Sequence, residues 1–272
     1  MSHHSLSSPP LLATPAVERR YQAVIFDVGG TLVGFEDDGP FDEFLSAVTQ
    51  PQPFASGADL RTSMLYTLST RRHEAVGLGL DNQAIDQWWL TIFADLFPRQ
   101  PNLARGMWEL FRCNYFDSLF PDTLPILQRL KARGVPMGII SNYGPNLLDL
   151  LFKFNLIQYF EFAIVSANEG IAKPDPRIFE MGLQAADVPA GQALYVGDNV
   201  ADDIEGAAKV GMDAVLINRP GRKPGVAPMM IDSLLEIESL VFPDRMTNPS
   251  TSRPYWSTDS SLPIPPLPKF AG

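Results

Sequence analysis

A short apolar run lies at residues 23–26, and from residue 124 onwards the chain alternates such runs with segments whose apolar residues recur at helical spacing. The runs are rich in β-branched residues, and their length suits the strands of a buried sheet. The predicted strands lie at residues 23–26, 135–141, 162–167, 193–198 and 214–218, and the predicted helices at residues 124–132, 145–154, 176–186, 203–210 and 232–240. Strands that are apolar throughout and alternate with helices favour a parallel sheet covered on both faces. We therefore predict an α/β fold with a doubly wound parallel sheet.

Residues 35–116 follow a different pattern, because helical periodicity continues there without an intervening strand. Apolar residues recur at helical spacing over residues 41–48, 60–76, 85–97 and 103–119. We expect a helical cap here, inserted into an α/β core made of residues 21–34 and 117–243. A stripe of large apolar residues in the cap forms either a wall over a substrate or the cap's own core, and apolar helix faces are normally buried. The stripe consists of Trp88, Trp89, Phe93, Phe97, Met107, Trp108 and Phe111.

The two ends of the chain have no apolar periodicity. Residues 1–20 and 244–272 are rich in serine and proline, and we expect both to be disordered tails. The proline-rich segment of residues 262–268 (LPIPPLP), with Leu262 and Pro268 at its ends, favours polyproline II and is a candidate for weak contact with a protein partner. A plain disordered tail is the simpler interpretation.

Polar residues suited to binding phosphate follow the predicted strands. Asp27 comes directly after the first strand and is followed by Gly29 and Gly30, whose backbone can turn tightly and approach an anion. Open α/β sheets bind their ligands at the carboxyl ends of the strands. The other polar groups are Ser141-Asn142 after a strand, Lys173 before a stiff Pro-Asp-Pro turn, and Asp198 with Asp202-Asp203 after a further strand. This pattern predicts a site for a phosphate-sized ligand.

Together and in this order, these stretches resemble the haloacid dehalogenase-like hydrolase superfamily. The texts SNYGPNLLDLL and GIAKPDPRIF are most similar to its phosphatase-type members with an inserted helical cap, and the resemblance covers nearly all of residues 21–243. It implies a Rossmann-like core with an all-helical cap and an enzyme that is a Mg²⁺-dependent hydrolase of small phosphorylated metabolites.

The resemblance also implies roles for individual residues. Asp27 would be the nucleophile that forms an aspartyl-phosphate, and Ser141 and Lys173 would contact the transferring phosphoryl group, roles that suit a carboxylate, a hydroxyl and an ammonium. Gly29, Gly30 and Asn142 would complete the phosphate-binding surface. The carboxylates of Asp27 and Asp198 and the Gly29 carbonyl would ligate Mg²⁺, with support from Asp203 or, at the other spacing found in the family, from Asp202. Helix capping is the simpler role for Asp202 and Asp203.

Gly29 departs from the family's phosphatases, which have a second Asp at this position. That Asp protonates the leaving oxygen, and such general acid catalysis contributes about 10² to 10⁴ in rate. The sequence therefore predicts slow hydrolysis, unless Glu36, Asp37 or Asp38 in the following loop replaces the acid. The alternatives are a relative that binds a phosphorylated ligand or a protein without catalysis and a 2-haloacid dehalogenase. A phosphonatase is disfavoured because residues 32–130 contain no lysine for a Schiff base.

Charge and cysteine content restrict the partners and the compartment. A formal charge of −10 argues against binding to nucleic acid or to an anionic membrane, since both need clustered Lys and Arg. No apolar run approaches the ~20 residues of a membrane helix, and the N-terminus shows no secretory signal. The single cysteine, Cys113, excludes an intrachain disulfide and is expected to be a buried small hydrophobe on a helix. We expect a soluble cytoplasmic protein.

Overall fold

The computed structural model describes residues 19–75, 82–219 and 226–243. Its strands are β1 (Ala23–Phe26), β2 (Val33–Gly34), β3 (Ser118–Leu119), β4 (Met137–Ser141), β5 (Phe162–Val165), β6 (Ala193–Gly197), β7 (Asp213–Ile217) and β8 (Met230–Ile231). Its helices are α1 (Gly39–Ala47), α2 (Gly57–Ala75), α3 (Asn82–Leu96), α4 (Pro101–Arg112), α5 (Thr123–Ala132), α6 (Leu147–Lys153), α7 (Ser166–Glu169), α8 (Pro176–Ala186), α9 (Glu205–Ala208) and α10 (Ile237–Val241). The predicted tails, including the segment 262–268, lie almost wholly outside the described residues.

Six strands form one sheet in the order β5-β4-β1-β6-β7-β8, and every neighbouring pair is parallel. The predicted fold class is confirmed: the sheet is doubly wound, and an all-helical cap is inserted after its first strand. The chain builds outward from β1 in both directions, with β4 on one side and β6 on the other. Such a change of direction opens a crevice at the carboxyl ends of the strands, where ligands bind in sheets of this kind.

Alternating residues of the central strands enter two separate hydrophobic clusters. Val24 and Phe26 of β1 belong to one cluster, which α5, α6 and α10 also line, whereas Ile25 belongs to the other, which α8 lines. The same alternation places Tyr195 of β6 in the second cluster and its neighbours Leu194 and Val196 in the first. Both faces of the sheet are therefore covered, as the continuous apolar runs predict.

The helices α1 to α4 enclose a third hydrophobic cluster. Phe93, Phe97, Met107 and Trp108 are buried in it, while Trp89 and Phe111 pack partly buried against it. The Trp89 ring lies with its centroid 4.3 Å from that of Phe111. The stripe thus serves as the core of the cap, in agreement with the simpler interpretation, except for Trp88, which only packs edge-on against Trp89.

Several boundaries differ from the prediction, and the largest difference lies at the end of the cap. The helix predicted over residues 103–119 ends at Arg112, because Asn114 adopts a left-handed conformation with φ 57°. Ser118 and Leu119 then form β3, which pairs antiparallel with β2 and joins the two connections to the cap. Cys113 is exposed at this helix end, so the expectation that it is buried was wrong.

Smaller differences occur in the core. The strand predicted over residues 162–167 ends at Val165, where α7 begins. The helix predicted over residues 203–210 begins earlier, with one wide π-helical turn at Val200–Ile204, because the Asn199 side chain accepts hydrogen bonds from the backbone N–H groups of Ala201 and Asp202. None of the described helices is both long and apolar enough to cross a membrane.

Candidate active site

Asp27 lies at the carboxyl end of β1, in the middle of the sheet. Its backbone N–H donates to Val196 O at 2.9 Å, which ties the residue to the end of β6. The chain then turns sharply, since Val28 O accepts from the N–H groups of Thr31, Leu32 and Val33, and Gly30 takes a φ of 88° that favours glycine. The turn leaves the Asp27 carboxylate buried at the base of a small polar cavity.

One oxygen of Asp27 accepts two strong hydrogen bonds. Ser141 Oγ donates to Asp27 Oδ1 at 2.9 Å from the end of β4, and Lys173 Nζ donates to the same oxygen at 2.7 Å. The second oxygen, Oδ2, lies 3.5 Å from Thr31 Oγ1. Asp27 is therefore in direct contact with both of the other groups predicted to surround a phosphoryl group, Ser141 and Lys173.

Lys173 reaches the cavity from the loop between α7 and α8, where Asn142 holds its backbone. The Asn142 amide donates to Lys173 O at 2.9 Å and accepts from Lys173 N at 2.8 Å. Burial by itself would lower the pKa of Lys173, but the carboxylates of Asp203 and Asp27 outweigh it and keep this pKa well above its ordinary value. The ammonium is thus a fixed positive charge beside Asp27.

Three carboxylates converge beside this ammonium. Asp27, Asp198 and Asp203 each offer an oxygen atom, and these atoms lie within 4.8 Å of one another. Lys173 Nζ donates to Asp203 Oδ1 at 2.6 Å, and Asn199 N donates to Asp203 Oδ2 at 2.9 Å. Burial raises the pKa of Asp203 to about 7, an effect that the nearby Asp27 and Asp198 charges increase and that Lys173 opposes.

Asp202, the other candidate at this turn, lies outside the three-carboxylate cluster. Its Oδ2 accepts from Asn199 Nδ2 at 2.7 Å, and the residue lines the cavity from the side. Asn199 was not predicted to have a role, although an Asn directly before a helical turn is a recognisable capping signal. Asn199 therefore caps the helix, Asp203 belongs to the three-carboxylate cluster, and Asp202 bonds the capping residue.

The remaining predicted residues line or border the cavity. Gly29 is exposed on the cavity wall, its φ lies outside the left-handed region, and a Cβ built on it would meet no heavy atom within 4 Å. Gly30 is buried in the turn. The Asn142 side chain lines the cavity as well, yet its amide is used to hold the Lys173 backbone, a function that the sequence did not indicate.

The acidic loop that follows the turn is largely occupied by the cap. Asp37 Oδ1 accepts from Gly39 N at 2.9 Å, and Asp38 Oδ1 accepts from Arg61 Nε at 2.5 Å. The Glu36 side chain is exposed. Two of the three candidates for a replacement acid are therefore engaged at the start of α1 and on α2.

Comparison with known proteins agrees with this geometry. A model of the haloacid dehalogenase-like hydrolase family matches residues 21–211. The chain is 32% identical over 140 residues to "Haloacid dehalogenase-like hydrolase domain-containing protein 3" of Xenopus laevis, covering 48% of this chain and 57% of that protein. It is 35% identical over 128 residues to "Phosphoserine phosphatase" of Thermus thermophilus, covering 46% of this chain and 50% of that protein. The chain thus spans about half the length of the curated relatives that it matches.

A solved structure extends the likeness over most of the chain. The crystal structure of a HAD phosphatase from Thermococcus onnurineus superposes with a TM-score of 0.52 and 26% identity, covering 80% of this chain and 97% of that one. The family match alone spans both the core and the cap, and it includes Asp27, Ser141, Lys173, Asp198 and Asp203. The chain therefore belongs to the haloacid dehalogenase-like hydrolase family.

Proposed function

We propose that this protein is a Mg²⁺-dependent phosphatase of small phosphorylated metabolites, with Asp27 as the nucleophile. The observation that carries this proposal is the shared contact on Asp27 Oδ1, where the Ser141 hydroxyl and the Lys173 ammonium meet at the base of a polar cavity. A carboxylate held between two donors, next to space for a small anion, is arranged for in-line attack on a phosphoryl group.

The bonds made and broken follow from these residues. A carboxylate oxygen of Asp27 would attack phosphorus, and the bond between phosphorus and the ester oxygen would break. The leaving oxygen would take its proton from water, because Gly29 supplies no acid. Water would then attack the aspartyl-phosphate, releasing inorganic phosphate and restoring the carboxylate. Ser141 and Lys173 would stabilise the negative charge on the transferring group throughout.

The acidic cluster suits a divalent cation. When all three are ionised, the carboxylates of Asp27, Asp198 and Asp203 carry three negative charges against the single positive charge of Lys173, and a divalent ion would then bring the cluster to neutrality and favour the ionised form of Asp203. Carboxylate oxygens are the ligands that Mg²⁺ prefers, and the Gly29 carbonyl on the same cavity wall would be a further one. The ion would supply charge neutralisation for an incoming phosphate.

The acidic cluster also separates this proposal from the alternatives. A dehalogenase of this family works without metal and has no need to gather three carboxylates beside one lysine. A protein that only binds a phosphorylated ligand would not need a nucleophile that the ligand can reach. Asp27 faces a cavity that Gly29, having no side chain, leaves open. The cap would set the choice of metabolite from above this cavity.

A test of the proposal measures phosphate release from a panel of aryl and alkyl phosphates, with Mg²⁺ and with a chelator. We expect release only with Mg²⁺, and we expect Asp27→Asn to reduce it by at least about 10³-fold, since the amide cannot act as the nucleophile. Asp59→Asn, which makes the same change on an exposed residue of α2, serves as the control and should leave the rate unchanged.

Three results would contradict the proposal. Phosphate release by the Asp27→Asn variant at the wild-type rate would place the nucleophile elsewhere. Halide release from a 2-haloacid that is indifferent to the chelator would favour the dehalogenase, and phosphate-ester binding without turnover of any compound would favour the non-catalytic relative.

A further inference from the structure

Tyr195 is a fully buried tyrosine on the central strand β6, directly behind the site. Its backbone is in register with Ile25 of β1, and its side chain points into the cluster beneath α8. The edge of the Phe179 ring packs against it with the centroids 5.2 Å apart. The ring therefore fills part of the core, as its position in an apolar strand predicts.

The hydroxyl of this tyrosine leaves the core and enters the site. Tyr195 Oη lies 2.8 Å from Ile140 O, 3.0 Å from Lys173 Nζ and 3.3 Å from Asp203 Oδ1. Lys173 can only donate, so the phenol oxygen is the acceptor in that contact. The single phenolic proton then goes to the closer acceptor, the Ile140 carbonyl on β4. The hydroxyl thus links the backbone of the strand that carries Ser141 to the ammonium of Lys173.

The three hydrogens of the Lys173 ammonium have three acceptors. They are Asp27 Oδ1 at 2.7 Å, Asp203 Oδ1 at 2.6 Å and Tyr195 Oη at 3.0 Å. Two of these are carboxylates that bind a substrate or a metal in the proposed reaction, whereas the third is a neutral group fixed to the sheet. The third acceptor is therefore the one that neither changes its charge nor takes a new partner in the proposed reaction.

We propose that Tyr195 is a positioning residue for the phosphatase reaction: its hydroxyl, anchored on Ile140 O, orients the ammonium of Lys173 towards Asp27 and Asp203. This inference rests on the proposed function, because the orientation of Lys173 affects turnover only if Asp27 is the nucleophile. A lysine side chain has four rotatable bonds and ends in one compact charge, so the ammonium needs such a fixed partner to hold one position. A displacement of about 1 Å in a reacting group costs about 10²-fold in rate.

The alternative role for Tyr195 is purely structural, with a hydroxyl that merely satisfies its own hydrogen bonds. The chain offers a matched control in Tyr21, which is also fully buried and whose hydroxyl donates to Asp213 Oδ2 at 2.7 Å, with no contact to Asp27 or Lys173. Tyr21→Phe and Tyr195→Phe remove the same atom from equally buried rings. A structural role predicts similar consequences for both variants.

The test combines one measurement that needs turnover with one that does not. The first is steady-state hydrolysis of p-nitrophenyl phosphate with Mg²⁺. The second is the ¹H–¹⁵N spectrum of lysine ammonium groups, in which a signal survives only if hydrogen bonds protect it from exchange with water; the Lys173 signal is assigned by its absence in Lys173→Arg.

We expect Tyr195→Phe to lower kcat by about 10- to 100-fold with KM within about threefold of the wild type, and to broaden or shift the Lys173 signal. Tyr21→Phe should leave kcat, KM and the signal at wild-type values. If Tyr195→Phe does not fold, Tyr195→Met fills the same space with a flexible apolar chain and carries the same expectations.

The outcomes distinguish this inference from the proposed function. Wild-type kcat together with an unchanged Lys173 signal in Tyr195→Phe would overturn the inference, as would the lack of a protected Lys173 signal in the wild type. Equal losses in Tyr21→Phe and Tyr195→Phe would also overturn it, in favour of the structural role. If the wild type hydrolyses no phosphate ester, the proposed function fails, and the spectrum still shows whether Tyr195 holds the ammonium.

Discussion

Replacing Gly29 by Asp tests whether this site lacks only a proton donor. Gly29 lies on the wall of the cavity that Asp27, Ser141 and Lys173 also line. Its backbone is outside the left-handed region and a Cβ meets nothing within 4 Å, so a side chain enters without strain or collision. Gly29→Asp therefore adds a carboxyl group beside the leaving oxygen of a bound ester and changes little else.

The size of the effect depends on the leaving group. General acid catalysis contributes about 10² to 10⁴ in rate, which corresponds to about 3 to 5 kcal/mol of activation free energy. Alkyl phosphates need this proton because an alkoxide is a poor leaving group, whereas aryl phosphates leave as stable anions. We expect Gly29→Asp to raise alkyl turnover by at least about 10²-fold and aryl turnover by much less, so the aryl-to-alkyl ratio falls.

The assay compares initial rates of phosphate release from p-nitrophenyl phosphate and from an alkyl phosphate at saturating Mg²⁺. Gly29→Asn is the matched control, since it has the same shape without an ionisable proton, and Gly29→Ala reports the effect of the added Cβ alone. Neither control should change the ratio. A gain in Gly29→Asn equal to that in Gly29→Asp would show that the side chain acts by contact and not as an acid.

A second result would refute the reasoning about Gly29 altogether. If the wild type hydrolyses alkyl phosphates as fast as aryl phosphates, an acid already exists in the site. Glu36 would then be the first candidate, because Asp37 and Asp38 are engaged by Gly39 and Arg61. Loss of alkyl turnover in Glu36→Gln would locate that acid in the loop leading to the cap.

Two further predictions concern packing and charge near the site. In Gly197→Ala the new Cβ would collide with the carboxyl group of Asp203. We expect this variant to lose about 1 to 3 kcal/mol of stability in chemical denaturation and at least tenfold in phosphatase turnover. Full activity would show that Asp203 has room to move. Burial raises the pKa of Asp117 to about 6, although the Lys153 charge opposes the shift. The native state therefore favours protonated Asp117, and stability is lost as the pH rises from about 4 through 6. Asp117→Asn should be more stable than the wild type by about 3 kcal/mol at pH 7 and should lose this advantage at pH 4. An advantage independent of pH in the same denaturation experiments would exclude this cause.

The sequence predicted the core because hydrophobic periodicity reports which faces of an element are buried. Strands β4, β6 and β7 and helices α5 and α8 follow directly from that signal. The two-residue strands β2, β3 and β8 are too short to carry a period, so they were not predicted. The end of α4 is set by the tertiary contacts of Asn114, whose carbonyl accepts from Lys153 Nζ at 2.6 Å and whose side chain bonds Tyr143 and Asn146.

The site was predictable to the extent that it depends on strand ends. Residues that follow parallel strands meet at one edge of the sheet, and this rule brings Asp27, Ser141 and Asp198 together. Contacts made by side chains reaching across the sheet leave no such signal. The Tyr195 hydroxyl passes behind β1 to Ile140 O on β4, two strands away, and its sequence context is that of any buried aromatic residue.

The site therefore separates into two parts that differ in burial and in their proposed chemical task. Asp27, Lys173, Asp203 and Tyr195 form a buried hydrogen-bonded network fixed to three strands, and in the proposed reaction this part would handle the charge of the phosphoryl group. A proton donor for the leaving group would stand at the exposed turn, where Gly29 has no side chain to supply one. Because this network needs no side chain at Gly29, the proposed reaction would lack an acid for the leaving group without losing its contacts to the phosphoryl group. The proposed enzyme would therefore select esters with acidic leaving groups, and Gly29→Asp should widen the substrate range without altering the affinity for inorganic phosphate as a competitive inhibitor.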